Sequence, residues 1–300
     1  MSSFVEFEMT DGIVLSTLHE PREAPRAVVL LIPGFALTCE DYAVFIAALS
    51  RQMNAAVYAL DLRGQGRSGG RPGDIEHENR LSRDITELTQ ALSGLHAGRP
   101  IWWVAHSSGG SLALRTLDSN RTFVPNGLVL IAPVICGHIE FDRRRMTMHR
   151  LRQRLIYGRV LSQSESKNGG RDSFRFSLLV SLLGRILPWA GGLTVLEVSR
   201  PEHFKTLAFS SRFFRGYYCK DPAGALERMP CPLWMMIGEE DEYSLPSAVT
   251  GLVKWNTAPG RLRAAEVIKG QGHFEIFAVA TVLLNKWLRN DGIDSPARVV

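Results

Sequence analysis

Residues 104–110, Val104-Ala105-His106-Ser107-Ser108-Gly109-Gly110, decide the reading of this chain. They follow the apolar run IWWVA at 101–105 and precede a stretch, 108–118, with helical periodicity, so they form a strand-to-helix turn. A serine at such a turn is presented on a sharp, strained bend, and small neighbours let adjacent backbone approach without clashing. Ala105 stands where the G-x-S-x-G form of this turn has its first glycine, a departure of one methyl group. An unaided serine hydroxyl is a poor nucleophile at neutral pH, so the turn carries chemistry only if a histidine base and an orienting carboxylate come from elsewhere. Without them VAHSSGG is an ordinary Gly/Ser turn.

Working outward, short aliphatic runs alternate with amphipathic stretches, the pattern of strands and helices taking turns in a mostly parallel sheet. FVEFEM at 4–9 and IVLSTL at 13–18 flank Asp11-Gly12, which predicts an opening antiparallel pair. AVVLLI at 27–32 is apolar throughout, as expected where helices cover both faces. A helix over 40–52, the strand AAVYAL at 55–60, a Gly-rich loop over 61–79 and a helix over 80–96 lead to VAHSSGG, after which LVLIA at 128–132 is a further strand. From 133 to 218 the alternation stops. It resumes with LWMMIG at 233–238, a helix over 246–255, AAEVIK at 264–269 and a helix over 274–289. The chain therefore reads as an α/β fold with a mostly parallel central sheet and helices on both faces. Its core is formed by 1–133 and 219–300, and 134–218 is an inserted cap. The apolar run from Phe174 to Val198 is interrupted by Arg185, Pro188, Trp189 and Gly191-Gly192, and its clean portions are far shorter than the roughly 20 residues a membrane span needs. A helical lid is the expectation there.

Of the eight histidines, His273 alone follows the last strand, in KGQGHFEIF just before a predicted helix, which makes it the candidate base. The acid is expected after LWMMIG, in Gly238-Glu239-Glu240-Asp241-Glu242. Asp241 lies far enough past the strand to turn back toward His273, with Glu240 as the alternative. A tetrahedral oxyanion needs preorganised N–H donors. The amide of Ser108 and that of Phe35, beside the glycine of IPGF at 32–35, are the candidates. Asp61 and Arg63 are read as loop-forming, and His106 as a support for the turn.

Composition narrows the class. With 45% hydrophobic and 22% charged residues, the 300-residue chain falls among globular domains rather than disordered or fibrous ones. Cys39, Cys136, Cys219 and Cys231 are scattered without metal-ligand spacing, which predicts reduced thiols and a cytoplasmic setting, with neither zinc nor disulfides. MSSFVEFEMTDG reads as mature structure rather than a secretory leader. The net charge of +5 is concentrated in RRRMTMHRLRQRLIYGR at 143–159, which holds seven arginines and no carboxylate. Confinement of that charge to one insertion argues against nucleic acid as a partner.

Taken together, these residues resemble the α/β-hydrolase superfamily, and within it the monoacylglycerol lipase and bacterial lysophospholipase branch. DLRGQGRSGGR at 61–71 is similar to that branch's D-x-R-G-x-G-x-S loop, and IAPVICG at 131–137 and VIKGQGHFEIF at 267–277 resemble lysophospholipase-type sequences. The likeness covers about 25–135 and 230–290 and weakens across the insertion, which forms the cap in this branch. Pro33 stands where many relatives have histidine. The resemblance implies hydrolysis of a carboxylic ester of a lipid-like substrate, a lysophospholipid or monoacylglycerol, through an acyl-enzyme. Ser107 would be nucleophile, His273 base and Asp241 acid, with no cofactor. Met146, Met148, Phe174, Phe176 and Trp189 would either line an acyl pocket or serve as ordinary packing between cap and core. Arg143, Arg144, Arg145, Arg150, Arg152 and Arg154 form either a solvated cap helix or a peripheral contact with an anionic membrane. A thioesterase, amidase or peptidase would use the same triad. A ligand-binding protein on this fold is the remaining alternative.

Overall fold

A strand covered on both faces must be apolar at every position, and β3 (Ala27–Ile32) is buried at all six. Its residues divide by pleat. Val28, Leu30 and Ile32 join one core layer, and Ala27, Val29 and Leu31 join the other. The computed structural model describes residues 2–119, 122–135, 159–160, 173–176, 191–200 and 205–290. Within them, β3 lies in an eight-stranded sheet with β1 (Ser3–Glu8), β2 (Val14–Glu20), β4 (Ala55–Leu60), β5 (Ile101–His106), β6 (Gly127–Ile131), β11 (Leu233–Gly238) and β12 (Leu262–Ile268). The spatial order is β1-β2-β4-β3-β5-β6-β11-β12. The first two pairings are antiparallel and the rest parallel. The expected α/β architecture is the one the chain adopts.

Helices cover both faces. One carries α1 (Ala43–Met53) and α7 (Phe277–Asn290), which bury Phe45, Ile46, Leu49, Ala280 and Leu284 against the sheet. The other carries α2 (Arg80–Leu95) and α3 (Gly109–Ser119), with Leu81, Ile85, Leu88, Leu112 and Leu117 in the larger layer. The short helices α4 (Ser211–Tyr217) and α5 (Pro222–Glu227), and α6 (Pro246–Asn256), pack on the same side. The helix expected over 40–52 begins with a 3-10 turn at Cys39–Tyr42 before α1. Among the described residues no helix is long and apolar enough to cross a membrane.

Residues 177–190, the greater part of the run over 174–198 in which a helical lid is expected, lie outside the described residues. The described parts of the insertion include β7 (Arg159–Val160), β8 (Ser173–Phe176), β9 (Thr194–Arg200) and β10 (Lys205–Ser210), an antiparallel sheet in the order β10-β9-β8-β7. The β-branched residues of TVLEVSR favour the strand β9, in which Thr194 is exposed and Val195 buried.

The end of the insertion is fastened to the core. Ser210 N–H donates to the Gly73 carbonyl (2.9 Å), and Arg212 Nε and Arg215 Nε donate to Asp74 (2.8 Å) and Glu78 (2.6 Å) in the 61–79 loop. Phe209, Phe213 and Tyr217 are buried in the larger core layer. The loop itself is held by charge. Arg63 and Arg80 converge on the buried Asp84 carboxylate (2.8 and 2.7 Å), and Asp61 accepts the Cys39 and Arg67 amides (2.7 and 2.8 Å). Asp61 and Arg63 thus have the loop-forming role expected of them.

Away from these features, His19 stacks on Tyr58 (ring centroids 4.0 Å apart), whose hydroxyl meets His96 Nε2 at 2.8 Å. Burial, reinforced by His96, pushes the His19 imidazole down from 6.5 to about 4. The unfolded chain therefore takes up this proton first as pH falls, and stability drops between about 6.5 and 4. Urea midpoints measured across that window should fall for the wild type. In His19→Phe, which keeps the stack, they should fall less steeply.

Candidate active site

The site lies at the carboxyl ends of the parallel strands, where loops after β3, β5, β11 and β12 converge. Ser107 follows β5 directly. Its φ of +55° is left-handed, a region that costs a non-glycine residue about 1–2 kcal/mol. Neighbouring groups hold it there: Ser107 N–H donates to the Ile131 carbonyl (3.0 Å), and its carbonyl accepts from Gly110 and Val134 (3.0 and 2.9 Å). Gly109 makes the close approach possible. A Cβ there would lie 2.5 Å from the Pro33 carbonyl oxygen and 2.6 Å from that of Ile32, so only glycine lets α3 begin against the end of β3. Ala105, by contrast, sits inside β5 and is buried without difficulty.

Asp241 and His273 come from the next two loops. Gly238 ends β11 against the His273 loop, where a Cβ would lie 2.1 Å from the Gln271 carbonyl oxygen. That proximity lets Glu240 N–H donate to Gln271 O (3.0 Å) and turns Asp241 inward, while the Glu240 side chain stays exposed. Asp241 Oδ1 accepts the Tyr243 and Ser244 amides (2.9 and 2.8 Å), and Oδ2 is 2.8 Å from His273 Nδ1. The ionised carboxylate can only accept, so Nδ1 carries the hydrogen and Nε2 is left with a lone pair. Nε2 is 2.9 Å from Ser107 Oγ and accepts its hydrogen. Glu242, in the same acidic loop, accepts the His273 N–H at 3.0 Å. Of the two acid candidates, the structure joins Asp241 to His273.

His106 is fully buried beside this pair, its ring 5.0 Å from that of His273. Burial, with the His273 ring adding to it, holds the His106 imidazole well below its ordinary value, so it stays neutral. It meets the Tyr42 hydroxyl through Nδ1 (2.9 Å), and that hydroxyl accepts the Gly34 N–H (2.8 Å). His106 therefore supports the turn rather than competing as base.

The two expected oxyanion donors are adjacent. Phe35 N–H, after β3, donates to Ser108 Oγ at 2.9 Å, so in the resting state one candidate's amide is satisfied by the other's hydroxyl. Three polar partners of this region were not legible in the sequence: Tyr42, Glu242 and Tyr217, whose hydroxyl donates to the Pro33 carbonyl (2.6 Å) across 184 residues of chain. No spacing marks such contacts. Met146, Met148, Trp189 and the arginines at 143, 144, 145, 150, 152 and 154 lie outside the described residues, and Phe174 and Phe176 are described only in their backbone. Among the described residues no group of three or more His, Cys, Asp or Glu side chains is placed to hold a metal ion.

A family model described as serine aminopeptidase, S33 (Hydrolase_4) matches residues 23–174, more than half of the chain. The chain belongs to that α/β-hydrolase family. Protein phosphatase methylesterase 1 of Bos taurus is 33% identical over 104 residues, 35% of this chain and 27% of that protein. Monoacylglycerol lipase of Mycolicibacterium smegmatis is 29% identical over 121 residues, 39% of this chain and 41% of that one. The matched stretches thus span well under half of these curated relatives. The crystal structure of Paleococcus ferrophilus monoacylglycerol lipase superposes with a TM-score of 0.61 at 17% identity, covering 91% of this chain and 98% of that one, which is a likeness of fold. The monoacylglycerol lipase match is to the branch that the chain's motifs resemble.

Gly109→Ala tests the close approach. Its methyl group forces β3 and α3 apart at the serine turn, and overpacking of this kind costs about 1–3 kcal/mol. Urea unfolding should show that loss, and phosphonate labelling of Ser107 should slow because its bend relaxes.

Proposed function

We propose that the protein is a serine hydrolase that cleaves a carboxylic ester of a lipid-like substrate, a lysophospholipid or monoacylglycerol, through an acyl-enzyme. The observation that carries this reading is the hydrogen-bonded line Ser107 Oγ, His273 Nε2, His273 Nδ1, Asp241 Oδ2, with both spacings below 3 Å. In the proposed cycle Ser107 Oγ attacks the ester carbonyl while His273 Nε2 takes its proton. Asp241 stabilises the imidazolium that results. The oxyanion is received by the amides of Phe35 and Ser108. Breakdown of the tetrahedral intermediate returns the proton to the leaving alkoxide, and water then releases the acid by the same steps.

A lipid-like acyl group is supported by the aromatic wall around Phe35, whose ring packs against Phe209 (4.3 Å), Tyr217 (5.2 Å), Phe213 and Phe214. Phe274, next to His273, and Leu245 are exposed large apolar side chains. The monoacylglycerol lipase relatives support the same substrate class, whereas the methylesterase relatives favour a small alcohol leaving group, which is the second reading.

Ser107→Ala and His273→Ala should each abolish hydrolysis of p-nitrophenyl butyrate while circular dichroism stays native. Asp241→Asn should lower kcat on the order of 10⁴-fold, because the wrong tautomer of His273 is then favoured. Turnover retained by either alanine variant removes the assignment. A panel of monoacylglycerols, lysophospholipids, methyl esters, acyl thioesters and aminoacyl anilides separates the substrate classes.

The seven-arginine segment supports a second part of the proposal, peripheral contact with an anionic membrane that presents the substrate. Replacing Arg143, Arg144 and Arg145 by alanine should weaken sedimentation with phosphatidylserine vesicles and leave p-nitrophenyl butyrate turnover unchanged. Equal sedimentation of both proteins would reduce the segment to a solvated face.

A further inference from the structure

The loop that carries the Phe35 amide has an unusual fastening. Pro33 has no N–H, and the peptide group that joins it to Gly34 offers one acceptor and one donor. Tyr217 Oη donates to that acceptor, the Pro33 carbonyl, at 2.6 Å, and the Gly34 N–H donates to Tyr42 Oη at 2.8 Å. One peptide plane is thus gripped at both ends by phenols on opposite sides of the loop. The next plane is determined as well: the Gly34 carbonyl accepts from Leu37 N–H (3.2 Å), and Phe35 N–H points to Ser108 Oγ (2.9 Å).

The two phenols differ in origin. Tyr42 lies just before α1, in the core. Tyr217 ends α4, beyond the inserted strands, and is completely buried. The Pro33 carbonyl also lies against Gly109, so it has no room to turn away from Tyr217 toward α3. Ala36, on the far side of Phe35, has a left-handed φ of +62°, a conformation that persists only where the surroundings enforce it. The Phe35 ring rests on Tyr217 and Phe209, so the same part of the chain that grips the loop's backbone also packs its side chain.

We propose that Tyr217, paired with Tyr42 across the Pro33–Gly34 peptide, is a positioning residue that aims the Phe35 amide at the oxyanion. The inference rests on the reading of Ser107 as nucleophile and of Phe35 N–H as an oxyanion donor. Tyr217 touches no reacting atom. It acts by denying the loop a peptide rotation, and so couples the return of the insertion to the stabilisation of the tetrahedral intermediate. Loss of one oxyanion donor lowers kcat about 10²–10³-fold in serine hydrolases. A donor left in place but free to tilt should lose less.

Tyr217→Phe removes one oxygen and keeps the ring. In the full-length chain with p-nitrophenyl butyrate, kcat should fall about tenfold with KM within about twofold of wild type. Affinity for an alkyl trifluoromethyl ketone, which forms a tetrahedral adduct with the serine, should fall by the same factor as kcat. Tyr42→Phe should move both quantities in the same direction and serves as the measurement if Tyr217→Phe does not fold. Wild-type kcat and ketone affinity in Tyr217→Phe, or a raised KM at unchanged kcat, overturns the inference alone. Hydrolysis by Ser107→Ala, or a wild-type protein indifferent to the ketone, overturns the parent reading and this inference with it.

Discussion

The site depends on a contact between two backbones. β3 and α3 meet so closely at Gly109 that the Ile32 and Pro33 carbonyls occupy the space of a side chain. This proximity sets the bend at Ser107, whose left-handed φ turns its hydroxyl up out of the sheet toward His273. It also brings Phe35 beside Ser108, so the serine turn and the loop after β3 are placed by the same contact. A second close approach, Gly238 against the Gln271 carbonyl, does the same for Asp241 and His273. The catalytic geometry is built from two places where the chain has no side chain, and the polar groups fall into line around them.

That construction explains which parts were legible beforehand. Strands buried on both faces announce themselves as unbroken apolar runs, so AVVLLI, AAVYAL and LWMMIG could be read directly as β3, β4 and β11. Ser107, Asp241 and His273 were legible because each follows a strand, and chain order with strand position limits the candidates to a few. The choice of Asp241 over Glu240 follows from which residue Gly238 turns inward. Tyr42, Glu242 and Tyr217 were not legible, since their partners are distant in the chain and no local pattern marks a phenol that will meet a carbonyl 184 residues away. The inserted strands were not read for a different reason: the insertion lacks the strand-helix alternation of the core, and the β-branched residues of TVLEVSR sit at the end of a longer apolar run.

Two imidazoles lie side by side in this site with opposite circumstances. His273 has a carboxylate on one nitrogen and a hydroxyl on the other, so a proton taken from Ser107 is met by a compensating charge. His106 is enclosed among Tyr42, Phe274 and Phe277 and meets a phenol, so burial keeps it neutral. Were both to hold a proton, two cations would share a buried space with one carboxylate. Environment, rather than residue type, sets the two imidazoles apart, one in a hydrogen-bonded line and the other a neutral strut.

The anchoring of β10 and α4 bears on how such a protein diversifies. Ser210, Arg212 and Arg215 secure the returning chain to the 61–79 loop, and Ile135 is buried where the outgoing chain leaves the core. Between those two moorings the chain also reaches the core through Val195 and Phe209, and Phe209 packs on the Phe35 ring. Change in the inserted segment is therefore constrained at these few contacts, where a lost side chain would be felt by the loop after β3.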